Sequence, residues 1–411
     1  MTDYSCNKKI AVIGGGPAGM MAAGTAILYG ADVTIFEHSD RLGKKLAITG
    51  KGRCNVTNNC DINDFLENVT KNPRFLYASL SAFPPSKTIE FFEDLGVSLK
   101  TERGNRVFPS DDKAKTIVDA MRKYASGAKI VYEHVSGISR TNDGLYIINK
   151  NSDLKFDSVI LATGGRSYPK TGSDGSGYKL AVRLGHSVSE LKPSLVPIES
   201  DDTICTDLMG LSLRNVGVKI SDKDGKTVYS DFGELLFTHF GVSGPTILSA
   251  SAKIKDLDVD SLTLYIDMKP ALDEKTLDER ILSDFKKNVN KNFSNSLSDL
   301  LPQKLISPFI EKVGIDPYKK VNSITKDERH RIVNLLKGFS IKLSALRPID
   351  EAIITSGGIN VKELNPKTME SKLSPGIFFA GEMIDTDAYT GGFNLQIAFS
   401  TGYIAGKSAA E

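Results

Sequence analysis

The apolar and polar positions of the chain follow one order three times. Lys9 to Ile13 is a short β-branched run of the kind that forms a strand buried on both faces. Gly14, Gly15 and Gly16 interrupt it, and a run of small and apolar residues then predicts a helix to about Tyr29, stopped by Gly30. Asp32 to Phe36 predicts a second strand with Glu37 at its end. The order returns at Val159 to Ala162, which leads through Gly164-Gly165 and a turn-rich loop into a helix from about Tyr178 to Leu184. It returns again at Ile377 to Ala380, where Gly381-Glu382 follow and Gly391-Gly392 open a helix of small and apolar residues. Between the second and third occurrences the pattern changes. Leu195 to Leu264 alternates and is broken by turns such as SDKDGKT, which predicts a β-rich module. Leu272 to about Lys337 carries charges at helical spacing, as in LDERILSDFKKNV, and predicts helices with a solvated face. The chain therefore divides into a discontinuous α/β domain, residues 1–194 and 346–411, and an insertion over 195–345. The insertion is expected to be β-rich over 195–268 and helical over 269–345.

The first glycine cluster has the spacing of a dinucleotide pyrophosphate site. In Gly14-x-Gly16-x-x-Gly19, the first glycine makes the turn and the second lets the backbone approach a phosphate. The third lets the helix pack on the strand. Phosphates sit well at a helix N-terminus, where unpaired N–H groups and the dipole favour negative charge. Glu37 lies about 20 residues on, where a carboxylate accepts hydrogen bonds from a ribose and repels a 2′-phosphate.

Composition excludes several classes. Lys+Arg 52 against Asp+Glu 50 leaves 52 − 50 = +2, so no global field draws the chain to nucleic acid or membrane. Four cysteines (Cys6, Cys54, Cys60 and Cys205) have no CxxC pair, which leaves no zinc or other metal site and suits a reducing, cytoplasmic setting. Lys8-Lys9 and the apolar run after them have the outline of a signal peptide, but three glycines and a proline at its start fit a ligand-binding turn better. Cys54 and Cys60 lie about 40 residues past the glycine motif, where flavoenzymes that reduce disulfides carry a dithiol. Their C-x5-C spacing and the lack of a second strand–GxGxxG–helix unit argue against that chemistry.

GGGPAG with the glutamate after the second strand, ATGG, and AGE with TGGFNLQIAFSTG together resemble the two-dinucleotide-binding-domain flavoproteins. With GKGRCNVTN and ELLFTHFGVSGP, the whole chain is similar to the BaiN-like or aminoacetone-oxidase-like NAD(P)/FAD-dependent oxidoreductases, the HI0933-like flavoproteins. Gly50-Lys51-Gly52 departs from the all-glycine or Ser-Gly stretch expected there. The resemblance implies a Rossmann-like FAD-binding domain of the glutathione-reductase type, interrupted by a capping domain, with FAD held noncovalently in extended form. By motif, Gly14, Gly16, Pro17, Ala18 and Gly19 would meet the pyrophosphate and Glu37 the ribose, while Thr163, Gly164 and Gly165 would line the adenosine side. Gly381, Glu382, Asn394, Gln396 and Ile397 would lie along the ribityl chain and flavin, with Gly392 at the start of a helix aimed at the ring. Arg53, Asn55 and Cys54 in the loop after the first domain strands, Lys45 before it, and Val135 complete the expected cofactor set.

The expected activity is hydride transfer between flavin N5 and a small organic substrate. Two chemistries fit the resemblance. The preferred one is NADH- or NADPH-dependent reduction of an activated C=C, as in 3-oxo-Δ4 steroid or bile-acid intermediates, with the nicotinamide docking transiently. The other is oxidation of a small amine or aminoketone by O2. His239, which follows an apolar strand, and Arg347 and Tyr389 are the candidate catalytic residues. A flavoprotein whose insertion serves as a partner or RNA surface is a further alternative, disfavoured by near-neutral charge and the absence of interleaved basic and aromatic residues.

Overall fold

The structure is a computed structural model that describes residues 8–149 and 154–411, so Cys6 lies outside the described residues. It separates into two compact units: Met1–Ser194 with Ile349–Glu411, and Leu195–Pro348.

The first unit is built on a five-stranded parallel sheet. Its strands are β1 (Lys9–Ile13), β2 (Asp32–Phe36), β3 (Lys129–Val131), β4 (Ser158–Leu161) and β5 (Ile377–Phe379), in the spatial order β5-β4-β1-β2-β3. The apolar runs β1 and β4 are buried along almost their full length, as central parallel strands require. The order in which strands are added reverses between the parallel neighbours β1 and β4, and ligands of open parallel sheets bind in the crevice beyond the carboxyl ends of such a pair. Helix α1 (Pro17–Leu28) follows β1, and helix α2 (Phe393–Ala410) ends the chain. Both are apolar nearly all round and buried. They meet through small residues: Gly402 and Gly406 of α2 face the carbonyls of Ala18 and Ala22, leaving no room for a Cβ. Small antiparallel pairings complete the unit, among them Lys192–Ser194 with Ile354–Ser356, and Thr57–Asn58 with Arg106–Pro109.

The second unit has its own core, around a six-stranded antiparallel sheet. The hairpin Ser212–Ser221 to Thr227–Thr238 turns through SDKDGKT, with Gly225 at φ +81°. Helices Glu274–Lys287, Gln303–Val313 and Lys326–Lys337 follow, the last opened by a capping box of Thr325 and Glu328. Two elements depart from the expected β-then-helix division. Pro245–Ile254 is a helix inside the alternating stretch, opened by a proline in its first turn. Phe339–Lys342 is a strand inside the helical stretch: Gly338 stops the preceding helix, and the chain pairs back onto Thr263–Asp267 with Phe339 and Ile341 buried. Four residues of alternation beside a long helix are too few to register as a period.

Candidate cofactor site

The three glycine-bearing segments converge in the first unit. Gly14, at φ +105°, is pressed against the end of β4, where a Cβ would lie 2.5 Å from the Ala162 carbonyl. Gly381, at φ +73°, abuts Ala18 in the first turn of α1. Gly165 lies against Thr355 and Glu382, and Thr163 donates its hydroxyl to Met383 Sδ at 3.1 Å. Gly16 differs from its neighbours. A Cβ added there would meet nothing within 4 Å, whereas at Gly15 and Gly19 it would strike Leu42 and the Gly14 carbonyl. One face of the turn is therefore open, directly at the N-terminus of α1, whose first-turn N–H groups have no intrahelical acceptor. Glu37 is buried beside it and is fixed by N–H donation from Gly15 at 2.8 Å and Ser39 at 2.7 Å. Each of its oxygens keeps accepting capacity for a hydroxyl.

A buried polar atom tests whether this cradle suits FAD. Ser173 Oγ, beside Gly164, has no hydrogen-bond partner among the described residues. A polar atom buried without a partner costs about 1–3 kcal/mol, and a hydroxyl-rich dinucleotide is a ligand that would satisfy it. The open glycine face, the buried ribose-type carboxylate and this hydroxyl fit that group.

Beside them lies a partly buried ion pair that links residues far apart in sequence. Lys45 donates to Glu382 at 2.8 Å and to Ser167 at 2.7 Å. The other oxygen of Glu382 accepts from Ser167 Oγ at 3.0 Å and from the Thr355 N–H at 2.8 Å. Lys45 and Glu382 were expected here. Ser167 and Thr355 were not, nor were His38 and His134, whose rings lie 5.8 Å apart next to the Glu37 end. Nothing local marks those four, although Ser167 follows the ATGG turn by two positions. Val135 is buried near His134 in chain order, and Ile397 is buried in α2.

Several side chains expected at the cofactor are engaged elsewhere. The Arg53 guanidinium lies 4.2 Å over the Phe108 ring and binds Glu102 and Asp112, so its charge is already matched. Cys54 is fully buried, and burial pushes its thiol up to about 12; Cys60 is pushed up to about 11 by the same cause. Both are free thiols. Asn394 spends its amide on the backbone of Ala388, donating at 2.8 Å and accepting at 3.0 Å. Gln396 lies in the core, where it accepts from Thr57 Oγ1 at 2.6 Å and donates to the Phe83 carbonyl at 2.9 Å. Gly392 caps α2 at φ +98° with its Cβ position filled by Thr57. These residues fasten the Leu46–Cys60 loop to α2. The positive φ of Gly50, Lys51, Gly52 and Cys54 turns that loop sharply.

Of the catalytic candidates, Tyr389 lies in the first unit, its N–H bonded to the Asn68 carbonyl at 3.0 Å. His239 and Arg347 lie in the second, which brings them together. Phe240 sits between them, 4.9 Å from the His239 ring and 4.6 Å from the Arg347 guanidinium, and Arg347 pairs with Glu199 at 2.8 Å. The His239 ring is exposed.

Residues 8–408 match the family described as "HI0933-like protein Rossmann domain". The chain belongs to the HI0933-like family. It is an oxidoreductase of the flavin-dependent class on a Rossmann-type FAD-binding fold. A 3-dehydro-bile acid delta(4,6)-reductase of Clostridium scindens is 29% identical over 411 residues, 98% of this chain and 99% of that protein. A ribosomal RNA dihydrouridine synthase of Haemophilus influenzae is 29% identical over 417 residues, 99% of each chain. The protein of that name in Escherichia coli is 26% identical over 410 residues, 97% of this chain and 98% of the other. Among solved structures, the 3-ketosteroid-delta4-(5alpha)-dehydrogenase of Rhodococcus jostii RHA1 shares the fold. Its TM-score is 0.54 at 16% identity, over 100% of this chain and 98% of that one. No helix among the described residues is long and apolar enough to cross a membrane.

Proposed function

We propose that this HI0933-like protein reduces a carbon–carbon double bond conjugated with a carbonyl, using FAD recharged by NADH or NADPH. The cradle of the first unit carries the flavin half of this reading. The open Gly16 face, buried Glu37 and the Lys45–Glu382 pair come from three distant segments and meet in one place. The reaction type rests on two relatives along the whole chain whose names describe unlike substrates and one kind of bond. A delta(4,6)-reductase saturates double bonds of a 3-oxo steroid skeleton, and a dihydrouridine synthase saturates the uracil ring beside a carbonyl.

Bound in the cradle, reduced FAD supplies a hydride. The substrate carbon β to the carbonyl takes that hydride, and the α-carbon takes a proton. In this reading, Gly16 and the first turn of α1 hold the pyrophosphate, Glu37 the adenosine ribose, and Lys45 with Glu382 the hydroxyls of the chain leading to the ring.

Anaerobic mixing of the reduced holoprotein with a 3-oxo-Δ4 steroid, and separately with uridine-containing RNA, tests the reading. Flavin colour should return with at least one of them, with two hydrogens added to the substrate. Colour that returns only with O2, together with an added amine that reduces the flavin and O2 that is converted to peroxide, would instead establish the oxidase chemistry.

A further inference from the structure

Folding creates a feature on the second unit that its linear sequence does not display. Two segments about 30 residues apart, 286–292 and 317–322, are laced together. The Phe293 N–H bonds the Lys319 carbonyl at 2.9 Å, the Val321 N–H bonds the Lys291 carbonyl at 3.1 Å, and Asn292 bridges Lys320. Lys291, Lys319 and Lys320 are thereby brought together, Lys286 and Lys287 end the helix that leads into this ridge, and the two segments contain no acidic residue. Across the whole unit, 195–348, basic and acidic residues balance, 22 − 22 = 0, so the ridge is a local concentration of charge. Carboxylates neutralise little of it. Glu328 engages Lys319 at 2.7 Å, and Asp284 approaches Lys287 at 3.6 Å. Lys286 and Lys291 are exposed, with no ion pair among the described residues. Lys320 spends one of its donors on the Asn290 carbonyl and stays exposed.

Two further observations give the charge a preference. Tyr318 leaves 75% of its surface exposed, the largest exposure of any large apolar side chain in the described chain, between Pro317 and the lysine pair. Its backbone N–H is fixed by the Asp316 carboxylate at 2.9 Å, so the ring is presented by an ordered turn. Alongside it lies an open hollow of about 530 Å³, where donors and acceptors of Ser294, Asn295 and Gln303 share the lining with Ile306, Ile310 and the acidic Glu311. An anionic lipid surface offers charge for the lysines but nothing for amide and hydroxyl groups to read. A single-stranded nucleic acid offers phosphates for the lysines, a flat base for the tyrosine and base edges for the hollow.

We propose that this ridge is an RNA-docking surface: Lys286, Lys287, Lys291 and Lys320 contact phosphates, and Tyr318 stacks on an unpaired base of a loop. The inference deepens the reductase reading on its RNA side, because it names a surface that would hold such a substrate.

The test uses the full-length holoprotein and a fluorescein-labelled stem-loop RNA with uridines in its loop, measured by anisotropy against salt. The wild type should bind with an affinity that falls steeply with salt. The combined variant K286Q/K287Q/K291Q/K320Q should bind at least tenfold more weakly, its salt slope reduced by about 0.7–0.9 per lost phosphate contact. Tyr318→Ala should weaken binding roughly 5- to 100-fold with the slope unchanged, as loss of one base stack does. K223Q/K226Q, on the hairpin turn of the same unit, should match the wild type. RNA affinity equal to wild type in both ridge variants overturns the proposal. So does a wild type that shows no salt-dependent RNA binding, or binds phosphatidylserine vesicles and not RNA. Reduction of a free steroid enone and of uridine in RNA, assayed on the same preparations, separates the two claims. Turnover retained without RNA binding sinks the docking surface alone, and RNA binding retained without any turnover sinks the reductase reading alone.

Discussion

Lys45 and Glu382 are 337 positions apart and 2.8 Å apart in space, and neither is more than about a fifth exposed. Removing one partner of such a pair leaves the other charge buried, a loss of up to about 3–5 kcal/mol when burial is complete and less at this exposure. Lys45→Met should therefore weaken FAD binding at least tenfold in calorimetry and lower the melting temperature. Lys45→Arg should recover part of both. His186 supplies a different test. Its ring is buried, bonded to Glu363 at 3.0 Å and to Ser371 at 2.8 Å, and burial depresses its pKa although the Glu363 carboxylate opposes that. A depressed histidine stays neutral in the fold while the unfolded chain takes up a proton near pH 6.5. Stability should be full above about pH 6.5 and fall progressively below it. His186→Asn should be less stable at pH 7.5 yet show a flatter dependence between pH 7 and 5.5 in thermal melts. Cys54 and Cys60, with thiols held protonated by burial, should react slowly with a thiol reagent. Replacing Cys60 by serine should leave turnover within about twofold, since a protonated thiol is a poor nucleophile.

The elements show which signals are local and which are not. Gly14, Gly19 and Gly381 were legible because positive φ and close backbone approach leave glycine as the residue that fits, a constraint each position carries by itself. β1, β2 and the start of α1 follow from short apolar runs and the same glycines. The contacts that Gln396, Asn394 and Arg53 make within the protein were not legible. A polar side chain in a motif announces that it is needed, and not whether it serves ligand or backbone. Gln396 spends its amide on Thr57, Phe83 and Ser400, all far from it in sequence except the last. That reassignment can be checked. Gln396→Leu should leave the Thr57 hydroxyl unpaired, while the Phe83 carbonyl still accepts from Ser400 Oγ at 2.7 Å, and cost about 1–3 kcal/mol in urea unfolding of the FAD-free protein. If Gln396 served the flavin alone, stability without cofactor would hardly change.

At the scale of the molecule, glycine clusters that carry no chemistry singly become one cradle because β1 and β4 are neighbours in the sheet and α2 packs on α1. That the strands of the repeated pattern belong to one domain was legible; their spatial order was not. The lacing of 286–292 to 317–322 was not, since it depends on backbone pairing between loops that no periodicity marks. The second unit's last strand was missed for a related reason. The measurement that bears most directly on the whole account is the anaerobic titration of the FAD-free protein with FAD, followed by reduction and exposure to a conjugated enone. The account predicts one FAD bound per chain, binding lost in a Gly16→Val variant that still folds, and reoxidation of the flavin matched by a saturated C=C. A chain that binds FAD equally well with valine at position 16, or a reduced flavin left bleached by both steroid enone and uridine RNA, would contradict it.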